Sequence, residues 1–263
     1  MESSTQSTDV KQLFQLDGKV AIITGASKGI GAAMAQGLAA FGAKVVISSR
    51  KQEAVDAVAN ELTQAGLEAI GIACHVGDPE QLQQLVDKTV AQYGGIDILI
   101  NNAATNPIFG PISEAGGEIF DKIMNVNVKA PFALANLVYP HMKTRGGGSI
   151  INISSVEGMK PSFGLGLYSV SKAALLMLTQ NQAKEWGTDG IRSNAICPGL
   201  IKTKFSAAIW QNETLLKQVE KHLPAGRMAA PDEMTGLAIF LASSASSYCT
   251  GSVFTADGGH MIA

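Results

Sequence analysis

Tyr168 and Lys172 stand four residues apart in Tyr168-Ser169-Val170-Ser171-Lys172, near the start of a segment patterned as a helix. Spacing of four places both side chains on one helical face. A free phenol ionises near pH 10, too high for a good base close to neutrality. A neighbouring ammonium favours the phenolate, and a phenol so tuned can give a proton to a carbonyl oxygen or take one from an alcohol. The pair alone is common in ordinary amphipathic helices, so its surroundings decide its meaning. Thirteen residues before Tyr168, Ser155 closes the strand-like run Asn152-Ile153-Ser154-Ser155. A hydroxyl there can orient a substrate oxygen against the phenol. Ser154 offers a second hydroxyl, but the spacing to Tyr168 favours Ser155.

A second constellation lies near the N-terminus, in Thr24-Gly25-Ala26-Ser27-Lys28-Gly29-Ile30-Gly31. It follows the β-branched run Lys19–Thr24 and precedes a helical stretch over 29–41. Glycines in that position permit a tight turn and close approach of the backbone to a pyrophosphate. The next helix then points its free N–H groups at the anion. The strand-loop-helix context is the one that a dinucleotide site requires. A nicotinamide cation held there would further favour the Tyr168 phenolate. At the end of the second strand-like run stand Ser48-Ser49-Arg50, with no acid to bind a ribose 2′-hydroxyl. Arg50 offers a fork that suits a 2′-phosphate, and Lys28 adds a second positive charge, so the sequence favours NADP(H).

These residues need elements to hold them. Short apolar runs at 19–24, 44–48, 67–73, 97–100, 149–154, 191–196 and 252–256 alternate with helical patterns at 29–41, 52–65, from Pro79, 119–145, 167–186 and 231–243. Strict alternation predicts an α/β fold: a doubly wound parallel sheet of about seven strands, Rossmann type, in a single domain. The 263-residue length and 46% apolar content suit one large core. Residues 1–12 read as a frayed tail and 13–263 as the catalytic domain. A net charge of −2 and the absence of a dense Lys/Arg run argue against nucleic acid. No apolar run is long enough for a membrane span. Three scattered cysteines, Cys74, Cys197 and Cys249, fit free thiols in a cytoplasmic protein. No Cys/His cluster has metal-ligand spacing, so no metal is expected.

Taken together, TGASKGIG, NNAA at 101–104, the VNVKAPF stretch with Asn127, ISS, YSVSK and PGLIKT at 198–203 resemble the single-domain short-chain dehydrogenase/reductase family over about 18–259. The resemblance implies a tetrad of Asn127, Ser155, Tyr168 and Lys172. Tyr168 is then the acid/base and Lys172 holds the nicotinamide ribose and lowers the phenol's pKa. Ser155 positions the substrate oxygen. Asn127 holds a relay water, and the family pattern prefers it to Asn125. It assigns Asn102, Ala103 and Ala104 to the cofactor, and Pro198, Gly199, Ile201 and Thr203 to its nicotinamide end. Where the family often has an acid and Val for adenine, this chain has His75-Val76, which leaves the imidazole to hydrogen-bond or stack. Several stretches, such as SSRKQ and RGGGS, look closest to the NADPH-dependent carbonyl reductase/retinol dehydrogenases, with 3-oxoacyl carrier-protein reductases as relatives.

On the substrate side the resemblance implies a lid around 202–222, with Phe205, Ile209, Trp210, Leu215 and Leu216 lining an apolar pocket or packing on the core. Val156–Leu167 and Thr105–Phe109 form the other walls. Glu157 is read as facing solvent. No cluster of cations marks an anionic substrate, so the expected partner is an apolar carbonyl or alcohol. Small and apolar residues over 173–177 imply pairing between subunits in a homotetramer. The competing reading is a catalytically silent NADP-binding sensor on the same fold, against which the full tetrad argues.

Overall fold

The structure is a computed structural model and describes residues 9–263. Residues 1–8 of the expected tail lie outside the described residues. From Asp9 the chain makes a turn into a 3-10 helix at Gln12–Phe14, tied down where the Ser244 hydroxyl donates to the Leu13 carbonyl. Seven parallel strands follow: β1 (Val20–Thr24), β2 (Lys44–Ser49), β3 (Ala69–Ala73), β4 (Ile98–Asn101), β5 (Gly148–Ile153), β6 (Ile191–Pro198) and β7 (Val253–Ala256). They are ordered β3-β2-β1-β4-β5-β6-β7. The central strands are β-branched and buried on both faces, as a parallel sheet covered on two sides demands. The expected doubly wound sheet is therefore observed, strand for strand.

Successive residues of one strand feed opposite cores. Ile23, Ile47, Ile100 and Ile153 pack against Met34 and Leu38 of α1 (Gly29–Ala40), Val55 and Leu62 of α2 (Gln52–Gln64), and Leu241 of α9 (Thr235–Ala242). Ile22, Val46, Leu99 and Ile150 pack on the other face against Leu82, Leu85 and Val86 of α3 (Pro79–Tyr93) and Leu134 and Val138 of α5 (Ala130–Thr144). Helix α6 (Gly166–Trp186) lies beside α5, where Trp186 meets Tyr139 with ring centroids 4.9 Å apart. Helix α3 starts where the periodicity predicts, with Pro79 in its first turn and the Asp78 carboxylate accepting from Glu80 and Gln81 N–H.

The long helical pattern predicted over 119–145 is interrupted. Helix α4 (Gly117–Met124) runs into one π-helical turn at Asn125–Lys129 before α5 begins. Such wide turns concentrate at functional sites because they re-aim one side chain without ending the helix. The side chain re-aimed here is Asn127, 1% exposed. Strand order reverses between β1 and β4, and a crevice opens beyond the carboxyl ends of the strands at such a switch. Thr24, Ser49, Asn101, Ile153 and Pro198 all end there.

Candidate active site

The glycine turn leaves β1 at that edge. Gly25 and Gly29 take φ of +64° and +59°, where a side chain is strained. A Cβ on Gly31 would lie 2.5 Å from Asn102 Nδ2 and 2.7 Å from the Gly25 carbonyl oxygen, so no other residue fits without moving the turn. Asn102 braces the turn from β4: its Nδ2 donates to the Thr24 and Gly25 carbonyls, at 3.0 and 3.1 Å. The Thr24 hydroxyl accepts from the backbone N–H of Asn102 and Ala103. The NNAA stretch thus shapes the turn as well as flanking the crevice.

Helix α1 begins at Gly29 with no side-chain cap, whereas α3 is capped by Asp78. Its first N–H groups therefore face the crevice without a carboxylate of their own chain, which suits a bound pyrophosphate. Ser27 donates to the Ser49 hydroxyl and joins the turn to the end of β2. Lys28 and Arg50 are exposed, and among the described residues neither is in an ion pair. The backbone N–H of His75 is fixed by the Gln81 side chain while its ring is exposed, and Val76 is half-buried. A dinucleotide fits this cradle: backbone donors for the pyrophosphate, free cations where a 2′-phosphate would lie.

On the far side of the switch lie the side chains that the sequence singles out for chemistry. Ser155 follows β5 and opens a 3-10 turn at Val156–Gly158, its hydroxyl accepting the Glu157 N–H at 3.1 Å. The neighbouring Ser154 hydroxyl instead donates to the Lys172 carbonyl in α6, a packing role. Tyr168 and Lys172 sit on the buried face of α6, at 8% and 2% exposure. The Lys172 Nζ donates to the Ile153 carbonyl at 2.7 Å and lies 5.5 Å from the Tyr168 ring centroid.

The acidities differ from the sequence expectation. Burial pushes the Tyr168 phenol well above its ordinary value, the Ser155 hydroxyl draws it back, and the Glu157 charge adds to the rise. Burial lowers Lys172 to about 8, partly offset by Cys197. In the protein alone desolvation governs both groups, because they share one dry pocket.

Asn127 is clamped. Its Nδ2 donates to the Thr105 carbonyl and the Ser171 hydroxyl, each at 3.0 Å, and its Oδ1 accepts the Thr105 N–H at 2.8 Å. It ties the loop after β4 to α6. A buried polar ladder does the same for the helix body. Asn101 donates to Asn152, and Asn152 donates to Thr179 and Gln182 of α6. Neither the Ser171 clamp nor this ladder carries a sequence signal, since the partners in these four contacts lie 27 to 51 residues apart.

Pro198, Gly199, Ile201 and Thr203 carry the chain from β6 over the crevice. Gly199 packs on Asp257, where a Cβ would lie 2.7 Å from the Cα. The Thr203 methyl lies over Gly29, and an isolated bridge joins Ile201 to Ala229. The expected lid contains α7 (Ala207–Trp210) and α8 (Glu213–Lys221). Phe205 meets the Tyr168 ring at 5.6 Å between centroids, while the Trp210 indole donates within the lid to the Thr203 carbonyl. The other two walls meet each other: the Gly110 N–H donates to the Gly164 carbonyl, and Phe109 packs against Gly164. Glu157, expected to face solvent, is half-buried and bonded to Ser162 and Ser169.

A family model described as enoyl-(acyl carrier protein) reductase matches residues 25–261. Dehydrogenase/reductase SDR family member 4 of Sus scrofa is 45% identical over 96% of this chain and 91% of its own length. The Homo sapiens protein of that name is 43% identical over 93% of this chain and 88% of its own. Among solved structures, a gluconate 5-dehydrogenase from Burkholderia cenocepacia in complex with NADP and tartrate superposes with a TM-score of 0.92 at 35% identity, covering 96% of this chain and 99% of that one. A 7α-hydroxysteroid dehydrogenase complexed with NADH and 7-oxo glycochenodeoxycholic acid gives 0.91 at 34% identity, over 94% and 96%.

Proposed function

The chain belongs to the short-chain dehydrogenase/reductase family, and from that membership we propose that Tyr168 is the acid/base of an NADP(H)-dependent interconversion of a carbonyl and an alcohol. One observation carries the assignment: a buried phenol, a serine hydroxyl and a lysine ammonium converge at the carboxyl edge of the sheet, directly across the switch from an uncapped glycine turn.

NADPH, when bound, supplies the hydride that reaches the carbonyl carbon. The protein supplies the proton. Tyr168 donates its phenolic proton to the carbonyl oxygen, and in the reverse direction takes it from the alcohol. A phenol held protonated by burial is in the right state for reduction. Ser155, whose oxygen already accepts the Glu157 N–H, keeps its own O–H to donate to the same substrate oxygen. Lys172 is the group assigned to the nicotinamide ribose, and its charge offsets the phenolate left after transfer. Both amide donors of Asn127 are engaged, so a relay water beside it would meet an oxygen acceptor.

The cofactor preference rests on Lys28 and Arg50, two free cations where NAD-type sites place an acid, and the NADP complex of a similar fold supports it. Exposed Phe109, Ile112 and Phe163 with Phe205 give the mouth an apolar rim, which favours an apolar carbonyl such as a carbonyl reductase would take. Exposed Phe132 on α5 and Val170 and Met177 on α6 favour packing against another copy, and the assembly proposed is the homotetramer. Three free thiols fit a cytoplasmic setting. The domain reading is one catalytic unit over 13–263 with its lid at 202–222. The test is NADPH oxidation against a panel of ketones, quinones, aldehydes and acetoacetyl thioesters, with Tyr168→Phe alongside. Turnover that survives in Tyr168→Phe rejects the assignment.

A further inference from the structure

We propose that Glu157 is a positioning residue for this site, clamping the wall loop 158–165 to helix α6 and setting a fixed negative charge beside Tyr168. The inference rests on the acid/base reading of Tyr168 given above. Glu157 is bonded at both ends of its length. Its backbone N–H donates to the Ser155 hydroxyl oxygen at 3.1 Å, which fixes the direction in which that hydroxyl can donate. Its carboxylate accepts from the Ser162 N–H at 2.8 Å, the Ser162 hydroxyl at 2.6 Å and the Ser169 hydroxyl at 3.0 Å. Ser162 belongs to the loop that walls the cleft, and Ser169 is the chain neighbour of Tyr168. One carboxylate therefore holds the wall loop against the helix that carries the phenol, through three charge-assisted bonds.

The turn has no freedom to retreat. A Cβ on Gly158 would lie 2.8 Å from the Lys172 carbonyl carbon, so the Val156–Gly158 turn presses directly on the α6 backbone. The titratable groups that face the phenol come from three elements: the Glu157 carboxylate from this turn, the Lys172 ammonium from α6 and, from β6, the Cys197 thiol, which burial keeps neutral. The lid contributes the uncharged Phe205 ring, and its neighbour Lys204 is exposed. Glu157 pushes the phenol upward, opposing ionisation, as a fixed anion near a developing anion must. The same anion extends to higher pH the protonated state of Tyr168 that carbonyl reduction needs.

The clamp and the charge separate experimentally. Glu157→Gln keeps an acceptor for Ser162 but removes the charge. Ser162→Ala with Ser169→Ala keeps the charge but removes two of the three bonds. Carbonyl reduction with NADPH is followed from pH 6 to 10 in each variant, with Tyr168→Phe as the reference. In Glu157→Gln the alkaline limb of kcat/KM moves to lower pH, so that a fall which the wild type shows only above pH 10 begins inside the measured range. In the double serine variant the limb stays in place and KM rises about three- to tenfold with kcat little changed. An unmoved limb in Glu157→Gln, or an unmoved KM in the double variant, overturns the assignment while Tyr168 stands. Turnover persisting in Tyr168→Phe overturns the acid/base reading itself, whatever Glu157 does.

Discussion

Helices α1 and α6 both start at the carboxyl edge of one sheet, yet they serve the site in opposite ways. Helix α1 acts by what it lacks. Its turn is glycine, its first N–H groups are uncapped, and its two cations, Lys28 and Arg50, are exposed. Helix α6 acts by what it buries. Tyr168, Ser171 and Lys172 lie in its interior face, and asparagine and glutamine contacts from two strands hold it in place. A backbone site needs only a turn of the right shape, and glycine spacing announces it. A side-chain site needs a dielectric environment, and only packing creates that. The comparison shows why the cradle tolerates exposure while the chemistry does not.

Four measurements would break or sharpen this contrast. The largest effect is expected from Tyr168→Phe, which removes the only proton donor proposed and should lower kcat/KM by about 10²–10⁴-fold with NADPH affinity nearly intact. A parallel loss of affinity would mean that α6 binds rather than reacts. Next comes Gly31→Ala. Its methyl would collide with the turn backbone and the Asn102 amide. A displacement near 1 Å of the bound dinucleotide costs on the order of 10²-fold in rate, read as a fall in kcat/KM for NADPH. Third, Arg50→Asp should narrow the NADPH/NADH ratio of kcat/KM by about tenfold or reverse it, as expected for losing a charge-assisted bond to phosphate. An unchanged ratio would leave the cradle without its proposed selectivity.

The smallest effect is a stability slope. Lys172 is lowered to about 8 in the folded protein from an ordinary 10.5. Between those values the unfolded chain binds the extra proton, so the protein without dinucleotide gains stability as pH rises through that window. The gain is opposed near pH 10, where tyrosine in the unfolded chain ionises while buried Tyr168 stays protonated. Melting midpoints across pH 7.5–9.5 should rise in the wild type relative to Lys172→Leu. Parallel curves would mean that the ammonium is solvated after all.

Much of the architecture was legible because parallel strands buried on both faces have few sequence solutions. Runs such as Lys44–Ser49 and Ile98–Asn101 read as buried strands between two helical patterns. Helix boundaries were legible where local chemistry marks them, as at Asp78-Pro79, and illegible where the helix merely widens, as at Asn125–Lys129. Of the site, Ser155, Tyr168 and Lys172 converge as their spacing predicts. The roles of Ser171 and Glu157 were hidden, because their partners are set by how the loops fold back on α6.

The residue order by itself determined the sheet and the glycine turn, since each follows from local steric and periodic rules, and it singled out the candidate side chains for the proposed chemistry. Tertiary structure alone decided their acidities and the clamp that orders them. A phenol's proton affinity depends on how much water and charge surround it, and that surrounding is assembled from segments far apart in the chain.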